Sequence, residues 1–423
     1  HSIMKIVVYN LGCKVNKYEC DSLLKTLKER GYEVSEDLVY ADLYVLNTCA
    51  VTNEAERKSR QCVSRCLKLN PNAKIVVCGC ASQNNPNQFS TKDNVTFVIG
   101  NARKGKLADM LQESGVLVEA LPKEYEDDFS AEVVRTRAYV KIQDGCDNYC
   151  SYCLIPYVRG RSRSRSIESV VEECKNLESK SKEITITGID ISSYGKNIGC
   201  DLATLICALS DINCRIRLGS LEVNVIDDNL LGALKKLKKF CPQFHLSLQS
   251  GEDGVLKKMN RHYTTAEYLE KVNLIREYFP DCAITTDLIC GFPTEDEESF
   301  ERTLEFIDRV GFAQMHIFGY SPREGTNATR YKLLPQSVVK DRVNRAIKVA
   351  EKKRQEYVES FVGKTLQLLT EDMEQGYMCG YSTQYIKCYI QGGQSDCLYD
   401  VKVEKAQDGI AYCSVLKNMD KTV

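Results

Sequence analysis

The stretch Asp144-Gly-Cys-Asp-Asn-Tyr-Cys-Ser-Tyr-Cys-Leu-Ile-Pro156 decides how the rest of this sequence is interpreted. It places Cys146, Cys150 and Cys153 in the spacing C-x3-C-x2-C. Three thiolates on so short a loop suit three irons of a cubane [4Fe–4S] cluster and leave the fourth iron without a protein ligand. An open metal position is where a small molecule is held and activated. The alternatives are a loop of buried cysteines or a zinc knuckle, but no His or further Cys lies within about twenty residues to complete a zinc site.

Composition indicates a reducing compartment. The chain has 21 cysteines in 423 residues, and a chain of this length does not need a disulfide framework to fold. Its four histidines argue against a catalytic metal held by several histidines, and no apolar run is long enough to cross a membrane. We therefore expect a cytoplasmic protein without a signal peptide. The 57 basic and 58 acidic residues give a net charge of −1, which leaves a local basic surface for nucleic acid possible.

Alternating strand and helix patterns predict an α/β protein in three parts. Residues 4–116 predict an open parallel sheet with helices on both faces, and residues 117–133 form an acidic linker. Residues 134–335 carry six further βα units, which are too few for a closed eight-stranded barrel and predict an open, partial (β/α)6 barrel. Residues 336–360 predict one connecting helix, and residues 361–423 predict a small all-β module.

The secondary-structure pattern also predicts individual elements. In the first part we expect strands at Lys5–Tyr9, Leu43–Asn47, Lys74–Cys78 and Val95–Ile99, and helices at Lys17–Arg30, Glu54–Leu69 and Arg103–Glu113. In the barrel we expect strands at Tyr139–Ile142, Glu183–Thr187, Arg215–Leu218, Phe244–Leu248, Ala283–Asp287 and Met315–Phe318.

A second set of cysteines follows three strands of the first part. Cys13, Cys49 and Cys80 each come directly after a predicted parallel strand. The carboxyl ends of parallel strands share one edge of a sheet, where ligands bind, so the topology brings these three residues together. Any one of them alone is more often a small buried hydrophobic residue. Cys62 and Cys66 share a helix face away from that edge, and Cys78 lies inside its strand.

The two sets together resemble a known family. The segments Leu11-Gly-Cys-Lys-Val-Asn-Lys-Tyr-Glu19, Asn47-Thr-Cys-Ala-Val-Thr52 and Gly79-Cys-Ala81, together with the C-x3-C-x2-C loop, resemble the methylthiotransferases of the radical S-adenosylmethionine superfamily. The resemblance implies an N-terminal methylthiotransferase domain, a radical S-adenosylmethionine domain and a C-terminal TRAM module. The first segment is most similar to the branch that acts on N6-threonylcarbamoyladenosine at position 37 of tRNA.

The resemblance implies two [4Fe–4S] clusters and two molecules of S-adenosylmethionine. Cys146, Cys150 and Cys153 would hold the cluster that cleaves S-adenosylmethionine to a 5′-deoxyadenosyl radical, and Cys13, Cys49 and Cys80 would hold an auxiliary cluster that carries the sulfur. One S-adenosylmethionine methylates that sulfur, and a second supplies the radical that takes hydrogen from C2 of the adenine. The expected partners are the tRNA anticodon loop and a reducing electron-donor protein, and the expected state is a monomer.

Polar and small residues after successive barrel strands are candidates for binding S-adenosylmethionine. The segment Thr187-Gly-Ile-Asp190 stands where the superfamily often has Gly-Gly-Glu. This difference changes the expected contact to the amino group of S-adenosylmethionine. Each of these residues could instead cap a helix or complete a turn. The candidates are Tyr152, Gly188, Ser220, Glu222, Ser247, Gln249 and Gly291.

Arginines next to the loop that carries Cys146, Cys150 and Cys153, called the cluster loop below, are candidates for binding substrate. Arg159, Arg161, Arg163 and Arg165 alternate with small residues, which predicts four guanidiniums on one side of an extended segment. Arg323 follows the last barrel strand. Guanidiniums suit carboxylates and phosphates, and one of Arg159, Arg161, Arg163 and Arg323 would read the threonylcarbamoyl carboxylate. A run of charges is otherwise a solvated face.

Three alternatives remain from the sequence. The substrate could be isopentenyladenosine in tRNA or a side chain of a ribosomal protein, and a non-catalytic iron–sulfur sensor that binds RNA would not need the barrel residues. The C-terminal module has six lysines, no arginine and eight acidic residues, a net charge of −2, so it lacks the uniformly basic face expected of an RNA-binding module.

Overall fold

Residues 2–131 and 136–421 are described by the computed structural model. The end of the predicted linker at Val133 and the predicted start of the barrel at Val134 lie outside these residues. The first part is a six-stranded sheet in the order β2-β1-β3-β4-β5-β6, and every neighbouring pair is parallel. Its strands are β1 (Lys5–Asn10), β2 (Glu33–Ser35), β3 (Leu43–Thr48), β4 (Lys74–Gly79), β5 (Val95–Ile99) and β6 (Gly115–Leu117).

Helices cover both faces of this sheet, as the near-continuous apolar strands predict. They are α1 (Lys14–Glu29), α2 (Asn53–Leu69), α3 (Cys80–Asn84) and α4 (Asn87–Ser90). The prediction of an α-helix at Arg103–Glu113 is wrong, because Lys104–Asp109 forms a 3-10 helix instead. Arg103 has a φ of 61° in the left-handed region, which an α-helix does not contain. The three-residue strands β2 and β6 are too short to give a pattern in the sequence.

The second part is an open barrel of parallel strands. These are β7 (Arg137–Asp144), β9 (Glu183–Gly188), β10 (Arg215–Leu218), β11 (Gln243–His245), β12 (Ala283–Cys290) and β13 (Gln314–Gly319), with the antiparallel β8 (Arg163–Ser164) beside β7. Two sheets, β10-β9-β7-β8 and β11-β12-β13, are joined by isolated parallel bridges such as Leu221 to Leu246. Within the described residues no pairing closes β13 onto β7, so the predicted open, partial barrel is confirmed.

Helices surround the barrel and lead into a closed β-barrel at the end of the chain. The barrel helices are α5 (Ile155–Arg159), α6 (Ile167–Leu177), α7 (Leu202–Ala208), α8 (Asp228–Lys235), α9 (Asp253–Lys258), α10 (Thr265–Tyr278) and α11 (Glu297–Val310). The connecting helix is α12 (Gln336–Glu359). The strands of the last module are β14 (Thr365–Glu374), β15 (Tyr377–Ser382), β16 (Lys387–Ile390), β17 (Leu398–Gln407) and β18 (Ile410–Asn418). This confirms the all-β module.

The all-β module docks on the amino-terminal end of the open barrel. Arg217 donates hydrogen bonds to the carbonyl oxygens of Ser382, at 3.0 Å, and Thr383, at 3.2 Å. Arg215 donates to the carbonyl oxygen of Tyr381 at 3.3 Å. The buried carboxylate of Glu183 forms ion pairs with both arginines. The module therefore leaves the carboxyl ends of the barrel strands uncovered, which is the end where barrel chemistry occurs. None of the helices in the described part of the chain is both long and apolar enough to span a lipid bilayer.

A buried ionic network joins the first part to the barrel. The Arg159 Nη1 atom lies 2.6 Å from the Glu19 Oε1 atom and 3.3 Å from the Asp144 Oδ2 atom. The Lys141 ammonium lies 2.7 Å from that same Asp144 oxygen, and Lys104 forms an ion pair with Glu19. All five side chains are at least nine-tenths buried. Burial alone would raise the pKa of Glu19, but Arg159, Lys104 and Lys141 outweigh it and lower the pKa to about 2.

We expect Glu19→Gln to destabilise the protein by about 3 to 5 kcal/mol at pH 7, because it leaves buried cations without their counter-charge. The pKa of Glu19 is lower in the folded chain than its ordinary value of 4.5, so its stabilising effect is present above that value and is lost as the pH falls towards 2. The difference between wild type and variant should therefore shrink below about pH 4.5. Urea unfolding at several pH values measures this difference.

The matched control is Glu33→Gln, because the ion pair of Glu33 with Lys5, at 3.7 Å, is largely exposed. That variant should unfold almost as the wild type does at every pH. A destabilisation by Glu19→Gln that stays constant from pH 7 to pH 3 would contradict the assignment of an ionised, buried Glu19.

Candidate active site

The cluster loop reverses direction sharply at Gly145, which has a φ of 74°. A Cβ atom at this position would lie 2.1 Å from the carbonyl oxygen of Arg161, so only glycine fits. The Cys146 N–H donates to the Gly160 carbonyl at 3.0 Å, which ties the start of the loop to its end. The Ser151 N–H donates to the Met259 carbonyl at 2.9 Å. These contacts fix the loop over the carboxyl end of β7.

Each of the three thiols in this loop accepts an N–H hydrogen bond. The donors are the Asn148 N–H to Cys146 at 3.5 Å, the Arg261 Nη1 atom to Cys150 at 3.2 Å and the Ile155 N–H to Cys153 at 3.4 Å. None of these cysteines forms a disulfide. Burial raises the pKa of the Cys153 thiol to about 12, and Cys150 acts in the same direction. Donors aimed at sulfur favour thiolates, so this donor set fits an iron–sulfur cluster.

The second cysteine set lies at the carboxyl ends of β1, β3 and β4, as predicted. Cys13 is exposed, Cys49 is half-buried and Cys80 is buried. Gly79, with a φ of 105°, brings its backbone so close to β3 that a Cβ atom would lie 2.6 Å from the Thr48 nitrogen. Burial raises the pKa of Cys49 to about 12, and the Cys80 and Cys13 thiols add to this increase. The three thiols therefore lie within electrostatic reach of one another.

Polar side chains hold these thiols in place. The Cys13 thiol donates to the Asn16 Oδ1 atom at 3.1 Å, and the Asn101 Nδ2 atom donates to Cys80 Sγ at 3.4 Å. In the described part of the chain, no group of three or more His, Cys, Asp or Glu side chains is arranged around a single metal ion. The protein ligands of an iron–sulfur cluster bind several different irons. Whether these residues fit a cluster is therefore judged from the kinds of donor atom present and not from the geometry around one ion.

Arg159 connects the two cysteine sets. It ends the short helix α5 that follows the cluster loop, and its Nε atom donates to Cys80 Sγ at 3.3 Å. Its Nη2 atom donates to the Asn16 Oδ1 atom at 3.2 Å, the same oxygen that accepts from Cys13. The charge of Cys80 also contributes to raising the pKa of Cys153, although burial is the larger cause. The two sets therefore face each other across the junction between the first part and the barrel.

The prediction that four arginines share one side of an extended segment is wrong. Arg159 is helical and only Arg163–Ser164 is a strand. Arg163 is buried and donates to the carbonyls of Arg159, at 2.6 Å, and Arg161, at 3.0 Å. Arg165 is buried against Glu173 at 2.8 Å. Of the four arginines, only Arg161 is exposed. The guanidiniums of the other three are buried in internal contacts, so the alternation of Arg with small residues does not mark one open face.

Arg323 also lies in an internal contact. It is 3% exposed, its Nη2 atom lies 2.8 Å from the Glu56 Oε1 atom, and its Nη1 atom donates to Asn53. Both partners lie in the first turn of α2, just beyond Cys49. The loop after β13 is therefore docked against the second cysteine set.

Two of the predicted cofactor residues meet at Arg261, which the sequence pattern did not mark. The Arg261 Nη2 atom donates to the Glu222 Oε2 atom at 2.6 Å and to the Ser247 carbonyl at 3.1 Å, while its Nη1 atom bonds Cys150. Arg261 stands alone between two helices, so no spacing or repeat distinguishes it from a surface arginine. It links the cluster loop to the residues that follow β10 and β11.

A cavity of about 330 Å³ opens beside these residues. Gly188 ends β9 two residues before Asp190 but does not line the cavity, and a Cβ atom on it would lie 2.9 Å from the Gln143 Oε1 atom. Burial raises the pKa of Asp190 to about 6, and Glu222 adds to this rise. Asn148, from the cluster loop, donates to the Asp190 carboxylate at 3.3 Å. Polar lining residues of the cavity include Asn148, Asp190, Ser192, Lys196, Glu222 and Arg261.

The other predicted cofactor residues are spread around the barrel. Tyr152 packs against the cluster formed by Phe292 and its neighbours, and Ser220 is exposed at the end of β10. Gln249 has a φ of 71° and donates its N–H to the Asp287 carbonyl. Gly291 lies under α12, where a Cβ atom would lie 2.6 Å from Val339, so close packing accounts for this glycine.

A larger cavity of about 1100 Å³ opens beside Cys13. It lies between the first part, the start of β7 and the all-β module. Its lining residues include Tyr9, Cys13, Lys14, Lys17, Arg137, Tyr139, Glu371 and Asp372.

Comparisons with known proteins match both the first part of the chain and the barrel to known families. The family described as "Radical SAM superfamily" matches residues 140–307, and "Uncharacterized protein family UPF0004" matches residues 5–100. The chain is 40% identical to the threonylcarbamoyladenosine tRNA methylthiotransferase MtaB of Aquifex aeolicus, over 86% of this chain and 92% of the relative. It is 34% identical to MtaB of Bacillus subtilis, over 96% and 95% of the two chains.

A relative named for a different substrate is also similar. The tRNA-2-methylthio-N(6)-dimethylallyladenosine synthase of Clostridium perfringens is 34% identical over 85% of each chain. Among solved structures, the radical S-adenosylmethionine methyltransferase TsrM from Kitasatospora setae has a TM-score of 0.55 at 14% identity, covering 76% of this chain and 77% of that one. This likeness supports the fold.

We expect Gly145→Ala to lower the iron bound after anaerobic reconstitution by about half, because only the loop of Cys146 is disturbed. The matched control is Gly31→Ala, since Gly31 has a φ of 89° but no atom would lie within 4 Å of a Cβ added there. The control carries the left-handed backbone cost of about 1 kcal/mol without the overlap. Iron analysis and thermal unfolding compare the two variants. Equal iron contents in both would show that the overlap at Gly145 does not shape the site.

Proposed function

Because this chain belongs to the methylthiotransferase family of radical S-adenosylmethionine enzymes, we propose that it adds a methylthio group to C2 of N6-threonylcarbamoyladenosine at position 37 of tRNA. The observation that supports this most is the pair of facing cysteine sets, joined by Arg159. An enzyme that must remove hydrogen from a base and then place sulfur on the same carbon needs two reactive centres on either side of one gap.

We assign one [4Fe–4S] cluster to each set. When bound, the cluster at Cys146, Cys150 and Cys153 supplies the electron that cleaves S-adenosylmethionine, and the auxiliary cluster at Cys13, Cys49 and Cys80 carries the sulfur. A reducing protein must deliver the electron. The exposure of the auxiliary thiols rises from Cys80 to Cys13, so this set opens towards the large cavity.

We assign the cavity of about 330 Å³ beside the cluster loop to S-adenosylmethionine. The Asp190 carboxylate and Glu222 suit the amino group and the ribose hydroxyls of this molecule, because carboxylates accept charge-assisted hydrogen bonds. Arg261 holds Glu222 in place through its 2.6 Å contact and fixes the distance from this carboxylate to Cys150. The adenosine of an anticodon loop is single-stranded, so extruding it towards this site costs little.

We also assign two exposed tyrosines beside the cluster loop to the tRNA. Tyr149 and Tyr157 are 37% and 50% exposed, and their rings meet edge to face with centroids 5.9 Å apart. The exposed Arg161 side chain lies on the same loop region, next to Asp147. Exposed aromatic rings beside a guanidinium suit stacking with an unpaired base and contact with a phosphate.

Two triple variants test the division of labour between the cysteine sets. Replacing Cys146, Cys150 and Cys153 by Ala should abolish formation of 5′-deoxyadenosine, because no iron remains that can bind S-adenosylmethionine. Replacing Cys13, Cys49 and Cys80 by Ala should leave that cleavage intact but give no methylthio product, since this set lies in a different sheet. Mass spectrometry of nucleosides from tRNA treated with the reconstituted protein measures both.

The folding of each variant is checked by circular dichroism, because cluster binding and folding are coupled. Methylthiolated adenosine from a folded variant without Cys13, Cys49 and Cys80 would overturn the sulfur-donor assignment. A wild-type product on isopentenyladenosine but not on threonylcarbamoyladenosine would overturn the proposed substrate.

We expect Tyr157→Ala to raise the KM for tRNA about 5- to 100-fold with little change in kcat, because one base–aromatic stack is lost. Tyr40→Ala is the matched control, since Tyr40 is 57% exposed and precedes β3, at the edge of the first sheet opposite the one that carries the cysteines. Steady-state kinetics of methylthio product formation separate KM from kcat. Equal KM values for the two variants would remove Tyr157 from the RNA surface.

A further inference from the structure

The large cavity beside Cys13, at about 1100 Å³, is large enough to hold a modified nucleoside. One wall is the loop from Tyr9 to Lys14, which carries the first auxiliary cysteine. Another wall is the start of β7, with Arg137 and Tyr139. The cavity therefore adjoins Cys13 on one side and the amino-terminal start of β7 on the other.

Three basic side chains line this cavity, and two of them are neutralised. The Lys17 ammonium forms ion pairs with Asp21 and, at 3.0 Å, with Glu36. The Arg137 guanidinium forms ion pairs with Glu183, at 3.2 Å, and with Glu371, at 2.5 Å. An ion-paired cation has little charge left for a ligand.

The third cation, Lys14, is different. Its side chain is exposed to the cavity, and within the described residues its ammonium has no ion pair and no hydrogen-bond acceptor. Lys14 follows Cys13 directly and begins α1. Burial lowers the pKa of His316, and the charges of His245 and Lys14 act in the same direction, so Lys14 lies within electrostatic reach of the last barrel strand. Lys14 thus stands between Cys13 and the amino-terminal ends of the barrel strands, where burial lowers the pKa of its ammonium and the Arg217 and Arg137 guanidiniums act in the same direction.

The arginines that the sequence suggested for binding the carboxylate are largely occupied by internal contacts. Arg159 faces Glu19 and Asp144, Arg163 faces Asp144 and two carbonyls, and Arg323 faces Glu56. All three are at most 3% exposed. Arg161 is exposed, but it pairs with Asp147 on the outside of the cluster loop.

We propose that Lys14 binds the carboxylate of the threonylcarbamoyl group and makes the site selective for adenosines that carry an acidic substituent. This inference rests on the proposed function. The substituent sits on N6 of the adenine, so it extends away from C2 while the base lies between the two cysteine sets. The ammonium of Lys14, the residue after Cys13, donates a charge-assisted hydrogen bond to the carboxylate of such a substituent. A neutral substituent would leave the ammonium unpaired in a partly enclosed site.

The test compares two RNAs on the reconstituted full chain. One is an anticodon stem-loop that carries N6-threonylcarbamoyladenosine, and the other carries the same group with its carboxylate converted to a carboxamide. Wild type should prefer the acid about 10- to 100-fold in kcat/KM, as one charge-assisted hydrogen bond implies. Lys14→Met should abolish this preference mainly by raising the KM for the acid. Lys14→Arg should retain it.

Lys17→Met is the matched control, because Lys17 lines the same cavity but is already ion-paired. It should keep the preference of the wild type. Iron content and 5′-deoxyadenosine formation without RNA show whether the clusters of each variant are intact. Binding of the two RNAs, measured by fluorescence anisotropy with Lys14→Gln, gives the same comparison without catalysis.

Two results would overturn the proposal. One is a wild-type enzyme that uses the acid and the carboxamide equally well, which needs no variant to fold. The other is a Lys14→Met or Lys14→Gln protein that still prefers the acid by the wild-type factor. Failure of the proposed function is separate, because the wild type would then form no methylthio product on the acid RNA at all.

Discussion

The arrangement of the whole molecule depends on the buried guanidinium of Arg159. It is 1% exposed, it neutralises Glu19 and Asp144 at the junction of two parts of the chain, and it donates to Cys80. A buried charge without partners would cost several kcal/mol, so the first part and the barrel must meet where this arginine is satisfied. Because Arg159 follows the cluster loop by one short helix, the same constraint fixes how far that loop lies from the second cysteine set.

This constraint brings two cysteine sets from separate sheets to one junction. The sheet of the first part presents Cys13, Cys49 and Cys80 from its carboxyl edge, and the barrel presents its loop from the corresponding edge. The all-β module is docked at the opposite end of the barrel through Arg215 and Arg217, so it leaves this gap open. The module contributes Glu371 and Asp372 to the wall of the large cavity.

The sequence predicts the layers of the fold well, because runs such as Ile6 to Tyr9 are apolar on both faces and match buried parallel strands. Both cysteine sets were also predictable, one from spacing and one from topology. The long-range pairing of side chains was not predictable. No local pattern shows that Arg159 turns inward onto Glu19, that Arg261 reaches Cys150 from a distant loop, or that Lys14 is left unpaired while Lys17 is not. Left-handed Arg103 likewise breaks a segment whose composition favours a helix.

The facing of the two cysteine sets can be examined by electron paramagnetic resonance of the reconstituted protein after reduction of both clusters. Two paramagnetic clusters across one gap should interact, so the spectrum of the wild type should differ from the sum of the spectra of the two triple cysteine variants. Arg159→Met should weaken that interaction while both clusters remain bound. A wild-type spectrum equal to the sum, with no sign of spin–spin interaction, would contradict the arrangement described for the two sets.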